Sequence, residues 1–394
     1  MLDEAERSRV MAAALSAASH SPWYASRLNQ SGFAGAPTFE RLPLIREADL
    51  DRGYYAGDEA EGADLEPGSL FSTSGTTRDT RRTVSWPRAD DVRYVAQRAR
   101  LFRALIGDTC ASACADLGTG HAQASAIEIF RVIGLEGHEI DIRDPLDRHV
   151  ARLRELRADL LYTMPVILER IVGAGGPGYT PKWIIVLGDL APRPWRRAME
   201  RRLGMQEGRI VDVFGSIEVG AIAYSDDDHG RYLFHEHIVP EAMAPPVRRE
   251  DDGELLVVTS TERDGFPAVR YAAGDLVSNL RPVEVSGVRR WAFDSHLGRE
   301  GTMIKHGEAL SLSVITQQIG AVCPGVAWAV RRDGLEVVIE IDERAYSPVV
   351  AAAVRRAVRS AHPAVDAMIG SGLIGDIGVE PRAFPDGSSK RSIR

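Results

Sequence analysis

One polar segment of the sequence has the composition of a phosphate-binding loop. Five hydroxyl side chains surround a glycine, and the segment follows a short strand-like run. Backbone N–H groups and hydroxyls in such a loop donate hydrogen bonds to phosphate oxygens, although the GxxxxGK[ST] pattern of a P-loop is absent. A solvated serine- and threonine-rich loop has the same composition, so both interpretations stay open. The segment consists of Ser72, Thr73, Ser74, Gly75, Thr76 and Thr77.

A second group of residues lies where a predicted strand, 210–214, ends. Gly215 and Ser216 follow the strand, and Glu218 comes two residues later. Ligands of parallel sheets bind at the carboxyl ends of strands, where Phe214 is able to stack on a base and Glu218 to coordinate Mg²⁺. The alternative is an ordinary turn whose glutamate is solvated at the start of a helix.

An aspartate and the few lysines of the chain are further candidates for a chemical role. Asp275 follows a glycine at a predicted strand end, where a carboxylate is able to accept both hydroxyls of a ribose; an ordinary turn aspartate is the alternative. Of the 48 basic residues, only Lys182, Lys305 and Lys390 are lysines. Codon preference explains an excess of arginine, yet an ammonium differs chemically from a guanidinium, so positions that keep lysine are candidates for a role.

The elements that position these residues alternate in the middle of the chain. Strands alternating with helices predict βαβ units and a mainly parallel sheet flanked by helices. A helix is expected over 3–19 and another over 90–106, with Val92, Val95, Ala99, Phe102 and Ile106 on its apolar face. Short strands follow residue 230, and an α+β tail begins near 311. The expected strands are 138–142, 159–163, 183–187 and 210–214, and the expected helices are 123–134, 145–157, 165–173 and 192–203.

Composition excludes several classes of protein. The 394 residues are 44% hydrophobic and 26% charged, as in globular proteins. The net charge of −8 argues against a nucleic-acid partner, and no apolar run approaches a membrane helix. The N-terminal residues lack a signal-peptide core, and the three cysteines form no CxxC pair, so we expect a cytoplasmic protein.

Five segments in order resemble the signature motifs of adenylate-forming acyl ligases: STSGTT, FGSIE, RYAAGD, GREGTMIKHG and GSSKRSI. The pattern SPWYASRL…LPLIREADL is similar to the phenylacetate–CoA ligase branch. The resemblance implies a two-step reaction, in which a carboxylate attacks the α-phosphate of ATP and a second nucleophile displaces AMP. It also implies an adenylation domain, 1–297, a small mobile α+β domain, 298–394, and a homodimer. The best linker candidate is 296–302.

The resemblance implies a role for each motif. The 72–77 loop would hold the β- and γ-phosphates, Phe214 would stack on adenine, Glu218 would bind Mg²⁺ and Asp275 would bind the ribose. Lys390 would bridge the carboxylate and the α-phosphate, a task that suits a point charge. The further nucleotide- or CoA-binding positions that the resemblance implies are Gly188, Asp189, Gly215, Ser216, Arg289 (with Arg290 an equal candidate), Arg299 and Lys305.

The carboxylate pocket is placed by position alone, at 116–125 and at Thr163, Met164 and Pro165. His121 is a candidate substrate contact, although a lone histidine is more often structural. His235 and His237 share a strand face but lack a third ligand in the sequence, so we expect a strand edge there rather than a metal site.

Three departures from the family pattern leave adenylation better supported than thioester formation. Arg78 replaces a glycine of the phosphate loop, Gly301 and Thr302 replace acidic hinge residues, and the loop at 305–310 is one residue shorter. The cysteine segment of many relatives is absent, so no zinc is expected. The leading hypothesis is an ATP-dependent ligase that joins a small aromatic acid to coenzyme A. An amine, a carrier-protein thiol or another nucleophile is the alternative acceptor, and a non-catalytic nucleotide-binding scaffold is the alternative of another class.

Overall fold

The computed structural model describes most of the chain. The described residues are 2–33, 35–55, 65–72, 83–118, 120–189, 191–245, 253–299, 303–324, 326–333, 336–384 and 391–393. None of the helices in these ranges is both long and apolar enough to span a membrane.

A nine-stranded sheet forms the centre of the N-terminal region. Its parallel half follows the alternation of strands and helices that the sequence predicts, and confirms the mixed α/β fold. The parallel strands are β4 (Ser112–Asp116), β5 (Glu136–Glu139), β6 (Leu160–Thr163), β7 (Trp183–Val186) and β8 (Ile210–Ser216). The helices between them are α5 (His121–Val132), α6 (Leu146–Leu156), α7 (Pro165–Gly173) and α8 (Arg193–Leu203).

Antiparallel strands extend this sheet, in the order β15-β16-β10-β9-β8-β7-β6-β4-β5. They are β9 (Gly220–Asp226), β10 (Arg231–Phe234), β15 (Arg281–Val285) and β16 (Val288–Phe293). His235 and His237 lie in the connection after β10 rather than on a strand edge, and they are largely buried. The expected strand edge is therefore wrong, because the chain turns inward there to enter the next sheet.

The second sheet contains six strands and includes part of the expected linker. Its members are β1 (Ile45–Arg46), β11 (Ile238–Met243), β12 (Glu254–Ser260), β13 (Tyr271–Ala272), β14 (Asp275–Ser278) and β17 (Ser295–Arg299). Because β17 pairs with β14, with Asp275 opposite Arg299, residues 296–299 belong to a sheet and not to a linker.

The N-terminal elements pack on these two sheets. They are α1 (Glu4–His20), α2 (Pro22–Gln30), α3 (Glu47–Asp49), the hairpin of β2 (Ser69–Ser72) and β3 (Thr83–Trp86), and α4 (Arg88–Ile106). A 3₁₀ turn, Phe39–Arg41, and a π turn, Leu50–Tyr54, connect them. The apolar face expected for α4 is partly wrong, since Val92 is 62% exposed whereas Asp90 and Arg98 are buried.

The C-terminal region is a small α+β unit. A hairpin, β18 (Met303–His306) and β19 (Glu308–Ser311), precedes a four-stranded sheet of order β22-β21-β20-β23. Its strands are β20 (Trp328–Asp333), β21 (Glu336–Asp342), β22 (Gly378–Arg382) and β23 (Arg391–Ile393), and its helices are α9 (Leu312–Val322), α10 (Pro348–Ser360) and α11 (Pro363–Gly370).

Candidate active site

The carboxyl ends of the parallel strands gather the predicted site residues at one edge of the large sheet. Asp116 at the end of β4 pairs in register with Thr163 at the end of β6, and Thr163 pairs with Val186 of β7. Gly188 and Asp189 follow β7, and β8 carries Phe214 near its end. This edge is where parallel α/β sheets bind ligands.

Phe214 and Asp275 come together through a residue that the sequence analysis assigned to a linker. His296 hydrogen-bonds through Nε2 to Asp275 Oδ1 at 3.0 Å, and its ring lies 4.7 Å from that of Phe214. Phe214 and Asp275, the two side chains predicted to contact a nucleoside, thus lie on two sides of one imidazole. The only sequence signal for His296 is its place two residues before the GREGT motif.

Glu218 lies in the turn between β8 and β9, and its backbone is held from three sides. Arg263 Nε donates to the Glu218 carbonyl at 3.0 Å, Trp86 Nε1 donates to the Ile217 carbonyl at 2.9 Å, and the Val219 N–H donates to Ser216 Oγ at 3.1 Å. The predicted role of the Glu218 carboxylate in binding Mg²⁺ stays a prediction. One such carboxylate together with phosphate oxygens fits the way Mg²⁺ is usually held.

Arg263 is anchored by a buried ion pair. It contacts Asp90 of α4, where the two side chains are 2% and 0% exposed, and it packs 4.0 Å over the Trp86 ring. Asp90 also accepts from the backbone N–H groups of Gly265 and Asp264. Burial raises the pKa of Asp90. The Arg263 charge and these hydrogen bonds together lower it by more, so the pKa lies below its ordinary value. The network thereby fixes the turn that carries Glu218.

Met164 packs between two loops of the expected carboxylate pocket. Its sulfur accepts from the Gly118 N–H at 3.3 Å, and its methyl carbon would lie 3.4 Å from a Cβ at Gly188, whose φ is +91°. Pro165 begins α7 directly afterwards. The structure therefore places the 116–125 segment, Met164 and Gly188 together.

His121 begins α5 inside a group of aromatic rings. It stacks on Trp86 at 3.7 Å and lies 4.2 Å from Tyr94, while Nε2 hydrogen-bonds to Asp91 at 2.7 Å. Burial lowers the pKa of His121, and Asp91 offsets this only in part. A neutral imidazole beside aromatic faces suits the wall of a pocket for a small acid.

A buried histidine that the sequence analysis did not single out lies beside the same edge. His149 of α6 hydrogen-bonds through Nδ1 to Asp116 at 2.9 Å and through Nε2 to the Asp144 carbonyl at 3.0 Å. Burial alone would lower the pKa of His149, but the Asp116 carboxylate raises it above its ordinary value. Asp116 Oδ2 and Thr163 Oγ1 are buried without a hydrogen-bond partner in the described chain. Two polar atoms at this edge of the sheet are therefore able to form further hydrogen bonds.

The C-terminal region reaches the same edge at two points. Arg332 of β20 donates through Nη2 to both Asp189 oxygens at 3.0 and 2.9 Å, and the Asp189 side chain is 1% exposed. A Cβ at Gly118 would lie 2.6 Å from Glu308 Oε1, so the Glu308 carboxylate packs against the loop after β4.

Arg289 lies in a different environment from the ribose contact that the resemblance implies. Its Nη1 is 2.6 Å from carboxylate oxygens of both Asp3 and Glu6, and it packs over Trp291. The equal candidate Arg290 donates to the Phe234 carbonyl at 2.6 Å. These contacts fix the β15–β16 hairpin, and the geometry does not support a ribose role for either arginine.

The remaining site predictions stay predictions. The structure describes only the backbone, within strands, of Ser72, Arg299 and Lys305. The predicted residues that lie outside the described ranges are Thr73, Ser74, Gly75, Thr76, Thr77 and Lys390. The hairpin of β2 and β3 brackets the phosphate-loop segment, with Ser72 opposite Thr83. Within the described residues, no group of three or more His, Cys, Asp and Glu side chains forms a metal site.

Known structures share this fold. The chain resembles 2-hydroxyisobutyryl-CoA ligase in complex with 2-HIB-AMP and CoA in the thioesterification state, with a TM-score of 0.75, 18% identity, and coverage of 99% of this chain and 89% of that chain. The same ligase in the postadenylation state gives a TM-score of 0.63, with 17% identity and coverage of 98% and 87%. The fold is that of the adenylate-forming ligases.

Sequence comparison gives the family within that class. The chain is 34% identical over 364 residues to fumarate–(S)-2,3-diaminopropanoate ligase of Enterobacter agglomerans, covering 91% of each protein. Residues 305–385 match the family model described as the fumarate–diaminopropanoate ligase C-terminal domain. The chain belongs to the family of this ligase and is an adenylate-forming ligase.

Proposed function

We propose that the protein uses ATP and Mg²⁺ to adenylate a small carboxylic acid and transfers the acyl group to an amine. The observation that carries this proposal is the 34% identity, over 91% of both chains, to a ligase that joins fumarate to diaminopropanoate. The relative favours an amide product over the CoA thioester of the leading hypothesis, and a dicarboxylic acid over an aromatic one. The departures at 301–302 and 305–310 agree with a changed acceptor.

The first step forms an acyl-adenylate. A carboxylate oxygen of the acid attacks the α-phosphorus of ATP, and the bond to pyrophosphate breaks. Phe214, His296 and Asp275 hold the nucleoside, and Lys390 stabilises the charge that develops between the acid and the α-phosphate. Mg²⁺ offsets phosphate charge when it is bound, and Glu218 is the residue that would hold it.

The second step forms the amide. The ammonium group of the acceptor first loses a proton to solvent. The neutral amine then attacks the acyl carbon, AMP leaves, and the nitrogen releases a second proton. The Glu308 carboxylate at Gly118 favours the approach of a cationic amine from the C-terminal side.

Product analysis tests the proposal. Acid-dependent exchange of pyrophosphate into ATP is measured for a panel of carboxylic acids, followed by mass spectrometry of products formed with 2,3-diaminopropanoate or with CoA. We expect exchange that depends on acid and Mg²⁺, and an amide that accumulates with AMP in equal amounts. Faster formation of acyl-CoA than of the amide would overturn the amine as acceptor. If none of the acids supported exchange, the non-catalytic scaffold would be favoured.

The Arg332–Asp189 ion pair gives a separate prediction about the second step. Arg332→Ala is expected to slow amide formation from preformed adenylate about fivefold, because a cross-region ion pair of about 1 kcal/mol shifts a two-state population by that factor. Pyrophosphate exchange should stay at the wild-type rate. Arg331→Ala is the matched control, since Arg331 pairs with Glu340 and Glu380 inside the C-terminal sheet. An equal loss in both half-reactions would contradict this role.

A further inference from the structure

Arg98 is a buried cation without a counter-ion in the described chain. It lies on α4, is 1% exposed, and donates through Nε to the Tyr94 hydroxyl at 3.3 Å. Its Nη1 has no hydrogen-bond acceptor, and no carboxylate of the described residues forms an ion pair with it. The other two buried arginines of the described chain, Arg196 and Arg263, each pair with an aspartate.

This arrangement is unfavourable for a protein without a bound anion. A guanidinium cannot lose its proton in a protein, so burial leaves its charge uncompensated. Asp212 lies near enough to act on Arg98 electrostatically, but it already accepts from the Tyr232 hydroxyl at 2.6 Å and interacts with Arg196. An anionic group would therefore interact more favourably with this unpaired guanidinium than with one in water.

Arg98 lies beside the residues that the adenylate would touch. Its Nη2 is 3.2 Å from the position of a Cβ on Gly215, the residue after Phe214. The guanidinium also packs over the Tyr94 ring, which contacts His121 of the expected acid pocket. The cation thus lies between the nucleotide motif and that pocket.

The surroundings of Arg98 are rich in hydrogen-bond donors. Burial, with the Arg98 charge adding to it, lowers the pKa of His235 well below its ordinary value. The same two effects act on His237, although Glu262 opposes them, and its pKa falls to about 4. Both imidazoles are neutral near pH 7, and His235 Nε2 has no hydrogen-bond partner in the described chain. Neutral donors around a cation suit a carboxylate.

We propose that Arg98 binds the distal carboxylate of a dicarboxylic acid whose other carboxylate is adenylated. The inference rests on the proposed function and adds the residue that would select a dicarboxylic acid. A monocarboxylic acid would leave the guanidinium unpaired, whereas a second carboxylate forms a charge-assisted, bidentate pair with it.

The experiment compares two acids that share a carbon skeleton. The two acids are fumarate and crotonate; crotonate has a methyl group in place of one carboxylate of fumarate. Pyrophosphate exchange with each acid is measured for the wild-type protein, Arg98→Met and Arg98→Lys. Arg103→Met is the control, since Arg103 is exposed on the same helix and donates to the Val132 carbonyl. We expect Arg98→Met to raise the KM for fumarate about 100-fold while that for crotonate is unchanged or lower.

Thermal unfolding separates this role from a structural one. Removing an unpaired buried charge should leave the melting temperature of the ligand-free Arg98→Met variant equal or higher, and only the stabilisation by fumarate should be lost. Arg98→Lys should keep part of the preference for fumarate. A wild-type protein that adenylates crotonate as well as fumarate, or an Arg98→Met variant that loses both acids equally, overturns the inference. Absence of exchange with every acid would instead overturn the proposed function.

Discussion

Replacing Lys390 with alanine is expected to reduce acid-dependent pyrophosphate exchange by at least about 100-fold, the effect of removing one preorganised donor from a developing charge. The lysine matches the GSSKRSI motif, and β23 begins at the next residue and pairs in parallel with β20. AMP binding, measured by calorimetry, should be nearly unchanged, because the proposed nucleoside contacts, Phe214, His296 and Asp275, are left intact.

Two controls separate the position of Lys390 from its charge. Lys390→Arg keeps a cation but presents a planar fork, and we expect it to recover little exchange. Lys182→Ala removes a 53% exposed lysine that pairs with Asp159, and it should behave like wild type. Wild-type exchange in Lys390→Ala would remove this lysine from the first step, whatever the acceptor of the second.

Local patterns predicted the elements of the fold well. The helices expected at 165–173 and 192–203 are observed as Pro165–Gly173 and Arg193–Leu203, because apolar spacing and the proline at each start are properties of adjacent residues. The expected strand 138–142 is observed as Glu136–Glu139. Its pairing with Ser112–Ala115 of β4 fixes the register, and pairing between distant strands is not encoded in local alternation.

Contacts between distant residues explain what the sequence did not predict. Helix α4 was expected to face inward through Val92, but Asp90 is buried there because Arg263, 173 positions away, supplies its counter-ion. His296 was assigned to a linker because its contact with Asp275 depends on the pairing of β14 with β17. The motifs predicted roles for Phe214 and Asp275, but the contact of His296 with both is visible only in the tertiary structure.

The same reasoning explains why Arg98 escapes a sequence-based search. An arginine on a helix that also carries Arg93, Arg100 and Arg103 is typical of a solvated face, and charged residues are rarely buried. Its burial follows from the packing of Tyr94 and Gly215 around it. The carboxylate contact proposed for Arg98 thus falls on a residue whose neighbours along the chain give no sign of such a role.

Asp90→Asn is expected to lower the free energy of unfolding by about 3–5 kcal/mol, because it leaves the buried Arg263 guanidinium without its counter-ion. Trp86 packs under Arg263 at 4.0 Å, so its fluorescence reports the transition during urea denaturation. Asp108→Asn, an exposed change just beyond the same helix, is the control. If both variants were destabilised to the same extent, the ion pair would not be the cause.

The pH dependence of that difference tests the mechanism. The pKa of Asp90 in the folded protein is lowered, by Arg263 and backbone hydrogen bonds against the effect of burial, so its contribution is complete above its ordinary pKa of 3.8. That contribution is lost as the pH falls through the folded-state pKa, because a protonated Asp90 resembles asparagine. The gap between wild type and Asp90→Asn should therefore be constant near neutral pH and should close only in acid. A gap that closes near neutral pH would mean that a group other than Asp90 titrates with the network.

Arg263 also holds the Glu218 carbonyl. Asp90→Asn should therefore raise the KM for MgATP under conditions in which the variant remains folded.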